Sequence, residues 1–193
     1  SSDTSEKVLP RATQIATGIA IIYLLLTLLC AALYWAAGMT AFEALCHAMT
    51  TIATGGFSTS DSSIAAFDNP TVDWISVVFM ILGGMPFVLF LQLVRGKPGL
   101  LFRDDQVRWF LAVVAAAILM VAGWLWLENG AEPGSALRYA AFNVVSIITG
   151  TGYATDDFAS WGGFAVATFF LLMFIGGCAG STTCGIKIFR FQV

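Results

Sequence analysis

Four long stretches of the chain carry no charged residue: Ile15 to Ala37, Trp74 to Val94, Trp109 to Leu127, and Phe158 to Ile186. About 20 mostly apolar helical residues cross the roughly 30 Å of hydrocarbon in a bilayer, so each of the first three has the length of one crossing. The fourth is longer and too rich in glycine for one smooth helix, with Gly162, Gly163, Gly176, Gly177, Gly180 and Gly185 inside it. Pro86 in the second stretch is expected to kink its helix, because proline removes an intrahelical hydrogen bond.

Two shorter apolar segments lie between these stretches. Thr40 to Ala53 (TAFEALCHAMTTIA) and Ser135 to Ile148 (SALRYAAFNVVSII) are too short to cross. Apolar segments of about 10–14 residues suit re-entrant or buried helices. Thr40 and Glu43 have the spacing of a capping box, and Ser135 behind Pro133 and Gly134 is a candidate N-cap. Each short helix runs into a loop of glycine and threonine. Thr54-Gly55-Gly56-Phe57 aligns with Gly150-Thr151-Gly152-Tyr153, Gly56 and Gly152 being 96 positions apart, and Gly83-Gly84 aligns with Gly176-Gly177.

The pattern therefore predicts an all-α membrane protein built from tandem repeats, residues 1–97 and 98–193. The first comprises a span over 13–37, a short helix over 40–53, a loop over 54–60 and a span over 71–95. The second comprises a span over 107–127, a short helix over 135–148, a loop over 149–155 and a broken span over 161–193.

Composition narrows the class. Hydrophobic residues make up 58% of the 193 positions and charged residues 11%, against about 45–50% and about 25% in soluble domains. This nearly excludes a water-soluble enzyme domain, and the apolar content excludes intrinsic disorder. A net charge of −3 without a basic stripe argues against a nucleic-acid partner. Cys30, Cys46, Cys178 and Cys184 form no CxxC pair and read as small apolar residues.

Charge placement orients the spans. Lys7, Arg11, Arg95, Lys97, Arg103, Arg108, Lys187 and Arg190 all fall on one side, which the positive-inside rule makes cytoplasmic. Both ends of the segment are thus expected inside. Glu43, Asp61, Asp68, Asp73, Glu128, Glu132, Asp156 and Asp157 fall outside, with Trp35, Trp74, Trp124, Trp126 and Trp161 near the outer ends as interfacial anchors. Arg138 is the one basic residue placed outside, where interfacial anchoring accounts for it. The chain begins at Ser1 without methionine or a cleavable signal, which leads us to expect a portion of a longer polypeptide.

Non-helical backbone at membrane depth is tolerated only inside protein or beside water. Glycine lets successive carbonyls turn to one side, and a ring of them can replace the water shell of a monovalent cation. Thr54 and Thr151 are candidates to add hydroxyl oxygens. A short helix aims the negative end of its dipole at the ion, and the outer acids concentrate cations. The plainer alternative is that these glycines merely turn the chain or let helices pack. Repetition of the loop behind equivalent helices favours the first reading.

AMTTIATGGFSTSDSSI (48–64), FMILGGMPF (79–87), FNVVSIITGTGYATDDF (142–158) and MFIGGCAGSTTCGIKIFRFQ (173–192) resemble the TrkH branch of the Trk/Ktr/HKT potassium transporter superfamily. The resemblance covers essentially the whole chain. It implies potassium-channel-like repeats of membrane helix, pore helix, filter loop and membrane helix, the second and third of an expected four around one pore. It implies filter glycines at Gly56 and Gly152, and potassium-binding carbonyls at Thr54, Gly55, Gly150 and Thr151. Phe57 and Tyr153 would wedge the loops from behind. Gly176, Gly177, Gly180, Ser181 and Thr182 would form an intramembrane gating loop, although Gly176-x-x-x-Gly180 also has the form of a helix-packing motif. Potassium uptake across a bacterial inner membrane, a homodimer and a cytosolic nucleotide-binding regulatory ring follow from resemblance alone, with no cofactor beyond the ion. Glycine at both filter positions fits potassium over sodium, although in plant members the absent first repeat decides that choice.

Other readings are weaker. His47 is expected to be packed or hydrogen-bonded, and Lys187 and Arg190 to snorkel toward the cytoplasmic interface, with a gating contact as the alternative. An intramembrane hydrolase would need Ser181 and His47 within hydrogen-bond reach, yet they fall in different repeats on opposite sides. A non-conducting assembly module or fragment of a sodium or potassium channel is the remaining alternative, since two repeats make half of a four-sided filter.

Overall fold

In the computed structural model, which describes residues 3–128 and 130–191, the chain is helical. The first repeat contains α1 (Asp3–Ala36), α2 (Ala41–Ile52), α3 (Pro70–Gly83) and α4 (Phe87–Val94). A short α5 (Gly99–Arg103) leads into the second repeat: α6 (Asp105–Leu127), α7 (Pro133–Ile148) and α8 (Gly163–Leu172).

Ala12–Ala36 and Asp105–Leu127 are each long and apolar enough to cross a membrane. Leu24, Leu25, Leu28 and Leu29 of α1 are exposed, and a helix that is apolar on every face suits hydrocarbon rather than water. The short helices do the opposite. α7 buries Ala140 to Ser146 without interruption, and α2 buries Ala44, His47, Ala48, Thr51 and Ile52. α1 packs on α2, α6 on α7, and α3 on α7, so the α3–α7 contact joins the repeats.

The second predicted span bends far more sharply than a simple kink. α3 and α4 meet at 94°, and the helix stops at Gly83 because Pro86 cannot supply the next N–H. The carbonyls freed there are taken from elsewhere. Gly84 accepts from the Cys178 amide at 3.0 Å and Gly83 from the Thr182 amide at 3.2 Å, while the Phe87 amide at the start of α4 donates to Gly180 at 3.2 Å. Gly84 must be glycine for packing, since a β-carbon there would stand 2.7 Å from Cζ of Phe110.

The fourth span is broken, as its glycines foretold. α8 ends at Leu172, and residues 174–187 form a loop whose ends run parallel where an isolated bridge pairs Ile175 with Ile186. Gly176 and Gly180 lie outside any helix, so a helix-packing role for them is ruled out. Two continuous long helices and two broken ones replace the expected three and one.

The helix starts divide similarly. Thr40 and Glu43 form the reciprocal capping box. Ser135 does not cap α7: the helix begins two residues earlier at Pro133, whose fixed φ suits a first turn.

Candidate functional site

Each glycine loop folds back onto the helix that delivers it, through one hydroxyl residue. In the first repeat the Thr50 carbonyl accepts from the amides of Gly55 (2.8 Å) and Gly56 (3.4 Å), and the Thr50 hydroxyl donates to the Phe57 carbonyl at 2.8 Å. Ninety-six residues later the Ser146 carbonyl accepts from Thr151 (2.9 Å) and Gly152 (3.3 Å). Its hydroxyl donates to the Tyr153 carbonyl at 2.7 Å.

Backbone angles repeat with the bonds. Thr54 (φ +49°) and Gly56 (+66°) are left-handed, as are Gly150 (+70°) and Gly152 (+83°), with Gly55 and Thr151 between them outside that region. Such alternation sends N–H groups to one side and carbonyls to the other. The N–H side is consumed by Thr50 and Ser146. The carbonyl oxygens of Thr54, Gly55, Gly56, Gly150, Thr151 and Gly152 accept no hydrogen bond among the described residues. Unpaired backbone oxygens beside small residues are what a desolvated cation requires.

A network of hydroxyls supports the loops. Tyr153 is buried, and its phenol meets the Thr50 hydroxyl, donates to the His47 carbonyl at 3.1 Å and lies 3.4 Å from the Thr51 hydroxyl. Thr51 continues to the Tyr34 phenol (3.0 Å), and Tyr34 to Ser76 (2.8 Å). A residue of the second glycine loop is thus tied to α1, α2 and α3. His47 belongs to the same support. Its Nδ1 donates to the Glu43 carbonyl at 2.7 Å, which leaves Nε2 to accept from the Ser58 hydroxyl at 2.9 Å. At the start of α2, the Thr40 hydroxyl and then its amide hold the exposed Glu43 carboxyl below its ordinary 4.5.

The loop over 174–187 sits against both glycine loops. The Thr182 hydroxyl reaches the carbonyls of Ile52 (2.9 Å) and Gly83 (3.0 Å) and lies 3.4 Å from the Thr54 hydroxyl. Two residues on, the Cys184 β-carbon lies 3.5 Å from where a β-carbon would stand on Gly150. Thr54 and Gly150 are equivalent in the repeat, so one short segment meets both loops at corresponding places. Gly176 and Gly177 are packed too tightly for a side chain: a β-carbon would lie 2.3 Å from the Cys184 carbonyl and 2.6 Å from the Thr183 hydroxyl, respectively.

The family model for TrkH, a cation transport protein, matches residues 1–193. The chain belongs to the TrkH family. It is 45% identical over its full length to the Trk system potassium uptake protein TrkI of Halomonas elongata, covering 39% of that protein. It is 39% identical over 95% of its length to the Trk system potassium uptake protein TrkH of Escherichia coli K12, covering 38% of it. The crystal structure of the potassium transporter TrkH from Vibrio parahaemolyticus superposes with a TM-score of 0.91 at 36% identity, over 95% of this chain and 40% of that one. The chain therefore spans about two fifths of the length of these relatives.

Within this TrkH-family chain several expected roles change. Phe57 is 77% exposed among the described residues, whereas Tyr153 is 2% exposed. The Thr54 and Thr151 hydroxyls are buried and engage the Ala53 carbonyl (2.8 Å) and the Thr149 hydroxyl (2.8 Å). Arg138 is not an interfacial anchor. It lies over the Tyr139 ring and pairs with Asp73 at 2.8 Å, both side chains largely buried, which joins α7 to α3. Asp73 is thereby withdrawn from the outer acidic surface, whereas Asp61, Asp68, Asp156 and Asp157 remain exposed. Trp161 is buried, with its indole on Asp156 at 2.8 Å.

Lys187 does not snorkel. Its ammonium turns back onto the Thr183 carbonyl, the Thr183 hydroxyl (3.1 Å) and the Ser181 hydroxyl (3.4 Å). Ser181 and His47 hold separate partners, which removes the hydrolase arrangement. Cys30 and Cys178 are buried as expected of small apolar residues, but Cys184 is exposed. The clamps at Thr50 and Ser146 were missed by reading for glycine alone. The same spacing of 96, applied to hydroxyl residues, would have found them.

Proposed function

We propose that this chain supplies two of the pore-forming repeats of a bacterial potassium uptake protein, with Thr54, Gly55, Gly56, Gly150, Thr151 and Gly152 as its contribution to the selectivity filter. One observation carries the proposal: two loops 96 residues apart leave their carbonyls unpaired behind identical clamps. Two such loops make half of a four-sided filter, and relatives more than twice as long have room for the rest. A dehydrated potassium ion would shed water onto these oxygens, while the C-terminal dipole ends of α2 and α7 favour a cation. The loop over 174–187, including Gly176, Gly177, Gly180, Ser181 and Thr182, acts as an intramembrane gate below the filter.

The protein sits in the bacterial inner membrane with both ends of this segment cytoplasmic, as the distribution of Lys and Arg favours. It works as a homodimer under a cytosolic nucleotide-binding ring, and its chemistry is transport, not catalysis. The test is potassium uptake by the intact native polypeptide in cells lacking other uptake systems. Replacing Gly56 with a bulky residue should leave uptake at background at normal expression. Undiminished uptake would remove the filter assignment.

A further inference from the structure

Residues 181–184 divide between two sets of contacts. The even-numbered ones face the glycine loops: Thr182 reaches Ile52, Gly83 and Thr54, and Cys184 lies against Gly150. The odd-numbered ones face away, and both meet the same ammonium. Lys187 touches the Ser181 hydroxyl, the Thr183 hydroxyl and the Thr183 carbonyl. The Ser181 and Thr183 hydroxyls are 2.8 Å apart, and Thr183 also accepts from the Gly177 amide at 3.0 Å, so the back of the segment is one connected cluster.

We propose that Lys187 is the positioning residue of this loop: its ammonium grips the back of the 181–184 segment and presses the front against both glycine loops. An ammonium has three donors and no acceptor, and loop oxygens satisfy them here. Charge-assisted hydrogen bonds of this kind are roughly twice as strong as neutral ones. Without them, Ser181 and Thr183 lose their common partner, and Thr182 and Cys184 lose the support that holds them to Thr54 and Gly150. The loop then spends more time away from the filter. This inference rests on the pore reading above, in which the loop obstructs ions below the filter.

Cys184 supplies a reporter, because it is a free, exposed cysteine whose β-carbon stands beside Gly150. The native polypeptide in proteoliposomes would be treated from the cytoplasmic side with a charged, membrane-impermeant methanethiosulfonate, and rubidium uptake followed, with Cys184→Ser as the unreactive control. Lys187→Met should raise the Cys184 modification rate about tenfold, the shift expected from losing one charge-assisted bond, and should raise basal rubidium flux. Ser181→Ala should move both in the same direction by less, and Lys187→Arg should stay near the native values. Native modification rates in both Lys187→Met and Ser181→Ala would overturn the proposal, and Ser181→Ala with Lys187→Arg decide it if Lys187→Met does not fold. If complete modification of native Cys184 leaves rubidium uptake unchanged, the pore reading itself fails, whatever the rates.

Discussion

A β-carbon on Gly56 would stand 1.8 Å from the carbonyl oxygen of Thr151. The two glycine loops therefore touch through bare backbone, and the oxygen concerned is one of the unpaired carbonyls of the site. No such neighbour exists for Gly152, where a β-carbon would meet nothing within 4 Å. Repeat symmetry makes these glycines equivalent, but the packing does not.

This asymmetry predicts unequal effects of the same change. Gly56→Ala should abolish uptake by the intact polypeptide, because the methyl group must displace the Thr151 carbonyl or its whole loop. Gly152→Ala faces only its left-handed φ, a cost of about 1–2 kcal/mol for an L-residue, and should retain measurable uptake. Rubidium uptake at matched expression compares the two, and equal loss in both would contradict the packing argument.

Thr54 and Gly150 occupy equivalent left-handed positions, at φ +49° and +70°. A β-branched residue in that region is an outlier costing about 1–3 kcal/mol. Thr54→Gly relieves it but gives up a buried side chain, so its melting temperature should stay close to native. Gly150→Thr adds the strain without that burial and should lose about 1–3 kcal/mol. Thermal unfolding in detergent distinguishes them, and a Gly150→Thr protein as stable as native would show that the loop relaxes.

Much of this arrangement was legible in the sequence because it rests on local rules. Apolar length marked α1 and α6, the Thr40–Glu43 spacing marked the start of α2, and repetition of glycine at a spacing of 96 marked both loops. What escaped was long-range. Nothing near Asp73 announces Arg138, 65 residues away in sequence. The break at Gly83–Pro86 reads as a simple kink in sequence, because the Cys178 and Thr182 amides that donate to its freed carbonyls lie far along the chain. Lys187 departs from the interfacial expectation for a related reason: a basic residue beyond an apolar run usually reaches for the interface, but here loop oxygens lie closer.

The Asp73–Arg138 pair is the main buried charge contact between the repeats among the described residues, with side chains 6% and 16% exposed. Removing one partner of a buried pair strands the other charge at a cost of about 3–5 kcal/mol, whereas apolar replacement of both is often neutral. Arg138→Met and Asp73→Leu should each destabilise strongly, and the double variant less than either. Thermal melts of the three variants check this, and additive losses would mean that the pair contributes little.

Glu43 gives the α2 start an acid dependence. Its carboxylate accepts from the Thr40 amide (3.0 Å) and hydroxyl (2.6 Å), so its folded value lies below the ordinary 4.5. A carboxyl depressed by folding stabilises above its unfolded value and loses that contribution as pH falls through the folded one. Stability should therefore decline as pH drops below about 4.5, and Glu43→Gln should flatten that limb. Melting temperature between pH 3 and 6, compared for the two proteins at one ionic strength, is the measurement. Because Glu43 is exposed, solvent screening keeps the effect small.

Tyr153 offers the sharpest separation of shape from hydrogen bonding. Its ring fills a buried position behind the second glycine loop, and its phenol joins that loop to Thr50, Thr51 and the His47 carbonyl of α2. Tyr153→Phe preserves the ring and deletes only the phenolic hydroxyl, leaving the half-buried Thr50 and the buried Thr51 hydroxyls short of a partner. An unsatisfied buried polar group costs about 1–3 kcal/mol, but both threonines keep bonds to helix carbonyls one turn back. The loss should therefore fall toward 1 kcal/mol. Function should respond more than stability does, because the lost bond is the one that fixes one glycine loop relative to the other. Rubidium-over-sodium preference should fall while total uptake persists. Unchanged preference alongside a lowered melting temperature would assign Tyr153 to packing alone, and Tyr153→Leu, which loses both ring and phenol, should then behave no worse in selectivity than Tyr153→Phe.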